Sequence, residues 1–174
     1  MACSITLSGR GFPCKSGIAG IKRIYVKLFV DGEWAAPTAG ASALSAETAV
    51  YFAFEPTRNA ASLIATPTVS VENGSVYYAQ VVDALNFPVL SAADTVQFEN
   101  LVKSRLSVIV QDANDNYLLM GRTQGVEVTG GAMQTGGAAG DLHGYTLQLT
   151  ANSPEAPAFI DPDETGLTLS AAPE

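Results

Sequence analysis

Apolar and polar positions alternate through most of the chain, and the alternation breaks at clusters of Gly, Pro, Asn and Asp. This is the pattern of short pleated strands separated by turns. Residues 4–7 form a short first strand, and residues 8–20 a glycine-rich loop. In the long strand 21–30, Ile24, Val26, Leu28 and Val30 share one face, with Lys22 before them. Arg23, Tyr25, Lys27 and Phe29 make the other face, a polar–aromatic mixture suited to an interface or to solvent. Val50, Phe52 and Phe54 alternate with Tyr51, Ala53 and Glu55 until Pro56 stops the strand. Residues 68–85 read as a hairpin closed by Asn73-Gly74, a pair that accepts the positive φ of a type I′ turn. In its second strand Val76, Tyr78, Gln80, Val82 and Ala84 oppose Tyr77, Ala79, Val81 and Asp83. Bulk on both sides predicts a strand covered on both faces.

The stretch 101–149 organises the rest. Leu106, Val108 and Val110 alternate with Ser107, Ile109 and Gln111, which predicts a strand with one buried face. Residues 112–116, Asp-Ala-Asn-Asp-Asn, tolerate turn geometry, and residues 117–120 return antiparallel. After Val126 and Val128, residues 129–141 form a loop with five glycines. Tyr145, Leu147 and Leu149 then mark a last clean strand.

One helix is expected. Ser91 and Asp94 have capping-box spacing, Phe98, Leu101 and Val102 follow at helical intervals, and Lys103 and Arg105 suit the C-terminal end of the dipole. Residues 33–48, rich in Ala with Pro37 and Gly40, read as an extended loop rather than a helix. A loop of that length in a compact domain tends to be functional or disordered. Beyond residue 151 the chain is rich in Pro and acid, an extended tail docked in part through Phe159 and Ile160. The expected organisation is one β-domain over residues 1–160 and an acidic tail over 161–174. The fold class is mainly β: an antiparallel sandwich or barrel with one flanking helix.

Composition adds that charged residues are 15% of the chain, against about 25% in an average soluble domain. This points to an outer surface covered by other copies or partners. The formal net charge of −8 argues against wrapping nucleic acid by phosphate neutralisation. Residues 1–30 carry Arg10, Lys15, Lys22, Arg23 and Lys27 without an acid, whereas residues 106–174 carry nine acids and one base, Arg122. Were these segments at opposite ends of the fold, copies would stack with complementary charge.

Candidate chemistry is sparse. Cys3 and Cys14 are the only cysteines, and the N-terminus lacks the basic and apolar regions of a signal peptide. Synthesis in a cytosol and two reduced thiols are the default, a Cys3–Cys14 bridge being the other state. With His143 the only histidine, a Cys/His zinc site lacks ligands. No apolar run reaches the roughly 18 residues of a membrane span. The 129–141 loop lacks the Lys and Ser/Thr of a phosphate-binding loop. Asp112, Asn114 and Asn116 resemble the start of a calcium loop, but its glycine and its twelfth-position Glu are missing. The acidic run 161–164 reads as solvated. No nucleophile, base or carboxylate pair is legible, so neither an enzyme nor a cofactor is expected.

The runs KSRLSVIVQDANDNYLLMG over residues 103–121 and QTGGAAGDLHGYTL over residues 134–147, with Cys3, PCK at 13–15, GIKRIY at 20–25 and the Asn-Gly hairpin, resemble the tail tube proteins of tailed bacteriophages. The likeness spans about the whole chain, loosely in 31–48 and after 160, with Asn114-Asp-Asn where Asn-Gly is expected. The resemblance implies a β-sandwich or small barrel with one helix, assembled as stacked hexameric rings whose sheets join around a DNA-conducting lumen. It implies a virion tail location after synthesis in the host bacterial cytoplasm. The implied partners are further copies, the tape measure, terminator and baseplate proteins and, in a contractile tail, a sheath. DNA would pass without specific binding. Arg10, Lys15, Arg23, Lys27, Trp34, Asp141 and Phe159 are the candidate contacts between subunits or rings, with 31–48 and both termini as inter-ring arms. The alternative is a virion binding or decoration module, on a capsid or for host glycans, with Trp34 as the aromatic platform.

Overall fold

The structure is a computed structural model that describes residues 9–10, 17–45, 48–58, 60–164 and 166–170. The expected strand 4–7, both cysteines and Lys15 lie outside them. Ten strands and one helix follow in the order β1 (Ile21–Leu28), β2 (Ala49–Phe54), β3 (Ser62–Ser70), β4 (Ser75–Pro88), α1 (Ala92–Lys103), β5 (Leu106–Asp112), β6 (Tyr117–Met120), β7 (Glu127–Gln134), β8 (Gly144–Ser153), β9 (Ala158–Ile160) and β10 (Leu167–Leu169). They form a six-stranded sheet, β10-β2-β1-β5-β6-β9, packed on a four-stranded sheet, β3-β4-β8-β7. All pairings between strands are antiparallel except β10 with β2. The fold is the expected mainly-β sandwich with one helix. The tail is not separate, however: Leu167 to Leu169 pair with Ala49 to Tyr51, so residues past 160 complete a sheet edge.

Two apolar clusters hold the layers, one on each face of the six-stranded sheet. Between the sheets, Ile24, Val26, Val108, Val110 and Met120 meet Val82, Leu85, Phe87, Tyr145, Leu147 and Leu149, and Phe98 of α1 closes one end. On the opposite face Tyr25, Tyr51, Ile109, Leu119 and Ile160 pack beneath Trp34. β5 is therefore buried on both faces, which corrects the one-sided reading of its alternation. Its polar residues find distant partners: Ser107 Oγ lies 2.8 Å from the Tyr51 hydroxyl, and the Tyr25 hydroxyl donates to Gln111 Oε1 at 3.1 Å. Tyr25 is likewise a core residue and not an exposed one. Leu28 and Val30, expected inside, stand beyond the reach of the second sheet and are exposed.

Residues 33–45 make a strap across that second cluster. Trp34 bridges to Leu44, Thr38 to Ala41, and Ala41 to Phe159 at the β9 edge. The Phe159 N–H donates to the Gly40 carbonyl, and the Ser42 N–H to the Phe159 carbonyl, both at 2.9 Å. Thus the segment expected as an outward arm is tied down.

The β3–β4 hairpin is present with a different turn. Its last pair is Ser70 with Ser75, so four residues close it, and only Gly74 of these takes positive φ. The expected two-residue turn would have paired Glu72 with Ser75. Farther along β4 a bulge shifts the register between Val82 and Leu85. Ala84 turns out with φ 56°, and Leu85 and Phe87 take the inner face in its place. The other face of β4 is not covered, since Tyr77 and Asp83 are exposed. Half of the expected glycine loop is strand: Gly130 and Gly131 belong to β7, leaving residues 135–143 as the connection. Where β8 begins, a Cβ on Gly144 would lie 2.1 Å from the Phe87 carbonyl oxygen, so no side chain fits between β4 and β8 there.

Ser91 caps α1 without a side-chain bond. Instead its carbonyl accepts from the Thr95 N–H at 3.0 Å and from the Tyr145 hydroxyl at 3.0 Å, tying the helix start to β8. The β5–β6 turn is built on Asp112. Its Oδ1 accepts the N–H groups of Asn114 and Asn116 at 2.7 and 2.8 Å, and the Asn116 side chain donates to Oδ2 at 2.8 Å. Asp115 takes φ 61°, a role Asp tolerates better than most residues. Partial burial raises the Asp112 carboxyl, but the Asn116 and Asn114 hydrogen bonds outweigh it and hold the group below the usual carboxylate range. A carboxylate depressed in the fold stabilises above its unfolded value, and that contribution disappears as pH falls through the folded value. Titration of the Asn114 and Asn116 amides by NMR is expected to show a shared midpoint below that of an aspartate in an unstructured peptide. A midpoint at or above that of the peptide would contradict the arrangement.

Candidate assembly surfaces

The four-stranded sheet has unpaired strands at both sides, β3 and β7. Because its four strands alternate in direction, the two edges run antiparallel to each other. They are nearly equal in length, nine and eight residues. Edge strands of monomers are usually blunted by charge, by brevity or by a covering element. Here β3 carries no charge and β7 only Glu127 at its start; Pro67 removes a single donor from β3.

The outer face of this sheet presents Thr66, Thr68, Val81, Thr146, Gln148 and Thr150, with Ile64 and Tyr77 as its large exposed apolar side chains. The only charges on the four strands are Asp83 and Glu127, both acidic. Glu127 lies 3.8 Å from the Arg105 guanidinium at the exposed end of the β7 edge. On the inner side, an open groove of about 510 Å³ runs between α1 and β7. Phe98 and Val102 line one wall, Val128, Met133 and Leu147 the other, with Gly130 and Gly131 along the floor. Glycine leaves this groove wide, since no side chain rises from β7 between Thr129 and Ala132.

The β3–β4 hairpin reaches past its sheet, because β8 pairs with β4 only from Tyr78 onward. At the far end Val69, Val76 and Val71 are 61%, 52% and 89% exposed. Glu72 at the tip has no ion-pair partner among the described residues. A second exposed apolar strip, Leu28, Val50 and Phe52, continues the inner face of the six-stranded sheet beyond the sandwich.

The residues singled out as contacts are dispersed. Arg10 is exposed, and Lys15 is outside the described residues. Arg23 pairs with Glu55, whose hydrogen bond raises the guanidinium pKa further. Lys27 pairs with the buried Glu33 and lies 5.8 Å from the centre of the Tyr51 ring. Trp34 is 5% exposed, and its Nε1 donates to the Tyr51 hydroxyl at 2.9 Å. Burial, the main cause, pushes the Tyr51 phenol up to about 12, against the lowering by Ser107 and Trp34. Trp34 is therefore a core residue, which corrects its reading as a contact or a glycan platform. Asp141 accepts the Gly137 and Ala138 N–H groups at 2.9 and 2.7 Å, and those bonds keep its carboxyl below the usual range. Phe159 is half exposed at the β9 edge beside the strap.

Nor do the described parts of the basic and acidic segments lie at opposite ends. β1 pairs directly with β5, and Lys22 meets Asp115 at 2.7 Å. The surfaces that stand out, the β3 edge, the groove and the hairpin tip, were not singled out from sequence. Their signal was the absence of charge along residues 62–70 beside an Asn-Gly turn.

Among the described residues no group of three His, Cys, Asp or Glu side chains is placed to hold a metal ion. No helix there is long and apolar enough to cross a membrane. Comparison with protein-family models, with curated proteins and with solved structures finds no match.

Proposed function

We propose that this chain is a tail tube subunit of a tailed bacteriophage, assembling into stacked hexameric rings around a channel for DNA. The observation that carries this reading is the four-stranded sheet with two free, nearly uncharged edges of opposite direction. A rotation that brings β3 of one copy beside β7 of the next continues the sheet with antiparallel pairing. Such a contact is heterologous, and when the rotation closes, both edges of the four-stranded sheet are paired. The outer face of the sheet would then line the lumen. Its surface of Thr, Gln and Ala with Ile64 and Tyr77 has Asp83 and Glu127 as the only charges on its strands. The strands thus offer no cation to a passing phosphate backbone, and Arg105 beside them is paired with Glu127. The low charge content and the exposed hairpin fit a surface meant for other copies. The glycan-binding alternative depended on Trp34, which is enclosed.

Purified protein imaged by negative-stain microscopy over a range of concentration and salt is expected to show rings or tubes with a central channel. A monomer under every condition in sedimentation, with no rings in the presence of the other tail proteins, would overturn the proposal.

A further inference from the structure

We infer that the groove between α1 and β7 is the receptor for the β3–β4 hairpin of a second copy of this chain, latched by an ion pair between Glu72 and Arg105. The inference rests on the edge pairing proposed above and goes further, naming the side chains that fix its register and partner.

Strand direction decides the arrangement. A β3 strand laid antiparallel along a neighbour's β7 sets its C-terminal end beside the start of β7. The inner faces of the two sheets are then continuous, because side chains in a continued sheet keep to their own side of the pleat. On β3 the inner face is identified by Leu63, which opposes the fully buried Val82, so Ala65, Pro67 and Val69 share it. On β7 it is identified by Val128, which opposes the buried Leu149, and Met133, which opposes the buried Tyr145. The added strand therefore projects Ala65 and Val69 into the space under β7, which is the groove lined by Phe98, Val102 and Met133. Within its own subunit Val69 covers nothing and is 61% exposed; Met133 is 59% exposed. A single packing event removes both from water, an effect of the size expected for apolar side chains buried at an interface.

Charge supports the same direction. Glu72 lies two residues past the end of β3, so it arrives at the start of the neighbour's β7. There stand Arg105, 57% exposed at the side chain and only loosely paired with Glu127 at 3.8 Å, and Lys103 at the end of α1, whose exposed carbonyls favour cations. Reversing the strand would place Glu72 beside residues 135–141, where Asp141 is the only charge. The acidic tip thus meets Arg105 and Lys103, which it would share with Glu127 and Glu99, in one direction and Asp141 alone in the other, which favours the antiparallel register. The Leu28–Phe52 strip lies on the other sheet and is not part of this contact.

The test uses the full chain with Cys3→Ser and Cys14→Ser. Separately purified Val69→Cys and Val128→Cys proteins, the pair that this register sets opposite each other on the inner face, are mixed and mildly oxidised. A disulfide-linked dimer is expected, whereas Ser70→Cys, one residue on and facing outward, is expected to give at most a tenth of the yield, about the discrimination that disulfide geometry imposes. In parallel, Glu72→Arg and Arg105→Glu are each expected to raise the concentration needed for half-assembly roughly tenfold, and the double variant to bring it back to within about threefold. Circular dichroism melting reports whether each variant is folded.

If rings form but Val69→Cys links no better than Ser70→Cys and the charge reversals change nothing, this docking is wrong while the tube reading stands. Specific cross-linking and charge rescue in an open dimer that never closes would support the docking and defeat the tube reading. A protein that stays monomeric with no cross-link defeats both.

Discussion

Replacing Trp34 with alanine is expected to lower the stability of the isolated subunit by about 3–5 kcal/mol, the usual range for deleting a buried aromatic. The indole is 5% exposed, lies 6.5 Å from the Tyr51 ring at 56°, and donates to the Tyr51 hydroxyl. Its removal opens a cavity over Tyr51, Ile109 and Leu119, on the face of the central sheet that no second sheet covers. Trp34 is the largest buried side chain of the strap, so its loss leaves the half-buried Leu44, the Glu33 ion pair with Lys27 and the backbone bonds to hold residues 33–45 down. Tyr51 retains Ser107 as a partner, which limits the polar share of the loss. Since Trp34 is the only tryptophan, denaturation should be followed by circular dichroism. Trp34→Phe should recover about half of the deficit, because it restores ring packing but not the N–H donor. A loss under about 1 kcal/mol for Trp34→Ala would mean that the strap is not part of the cooperative fold.

Gln80→Leu is the second large effect, expected at about 2–5 kcal/mol despite its similar volume. Gln80 is 1% exposed on β4, facing the six-stranded sheet. Its Oε1 accepts the Gly121 N–H at 3.0 Å, just past β6, and its Nε2 donates to the Glu155 carbonyl at 3.0 Å, just past β8. One amide thus satisfies two backbone groups from different layers. Leucine leaves the buried Gly121 N–H and the part-buried Glu155 carbonyl without their partner, and an orphaned buried group costs more than a hydrogen bond gains. The neighbouring Arg122 donates to Glu155 Oε2 at 2.8 Å through Nη2 and holds that segment in place, so a local shift cannot easily repair the defect. Equilibrium urea unfolding of Gln80→Leu beside Gln80→Ala is the measurement. If Gln80→Leu remained within about 0.5 kcal/mol of the native chain, water or a rearranged loop would have to supply the missing partners.

Alternation placed β5, β6 and β8 correctly, because a two-residue period together with turn residues suffices to define a strand. The helix was legible from Ser91 and the spacing of Phe98 and Leu101, although the expected side-chain cap is replaced by a bond from Tyr145. Errors fell where a residue's environment depends on a distant element. Ser107 and Gln111 looked like a solvent face, but Tyr51 and Tyr25, 56 and 86 positions away, satisfy them inside. The glycines at 130 and 131 looked like loop, but β8 supplies the ladder that holds them extended. In the hairpin, Asn73-Gly74 marked the turn correctly, while the cross-strand register at Ser70 and Ser75 set its length.

By itself the sequence determined the local alphabet: which stretches are pleated, where the chain turns, and that one helix interrupts a β-domain of low charge. These follow from periodicity and backbone preference, which act over a few residues. Only the tertiary structure decided that the central sheet is covered on both faces, that Trp34 is enclosed, and that β3 and β7 remain as open, opposed edges. Burial and edge exposure are properties of how layers meet, and no short-range pattern in the chain encodes which neighbour a strand lacks.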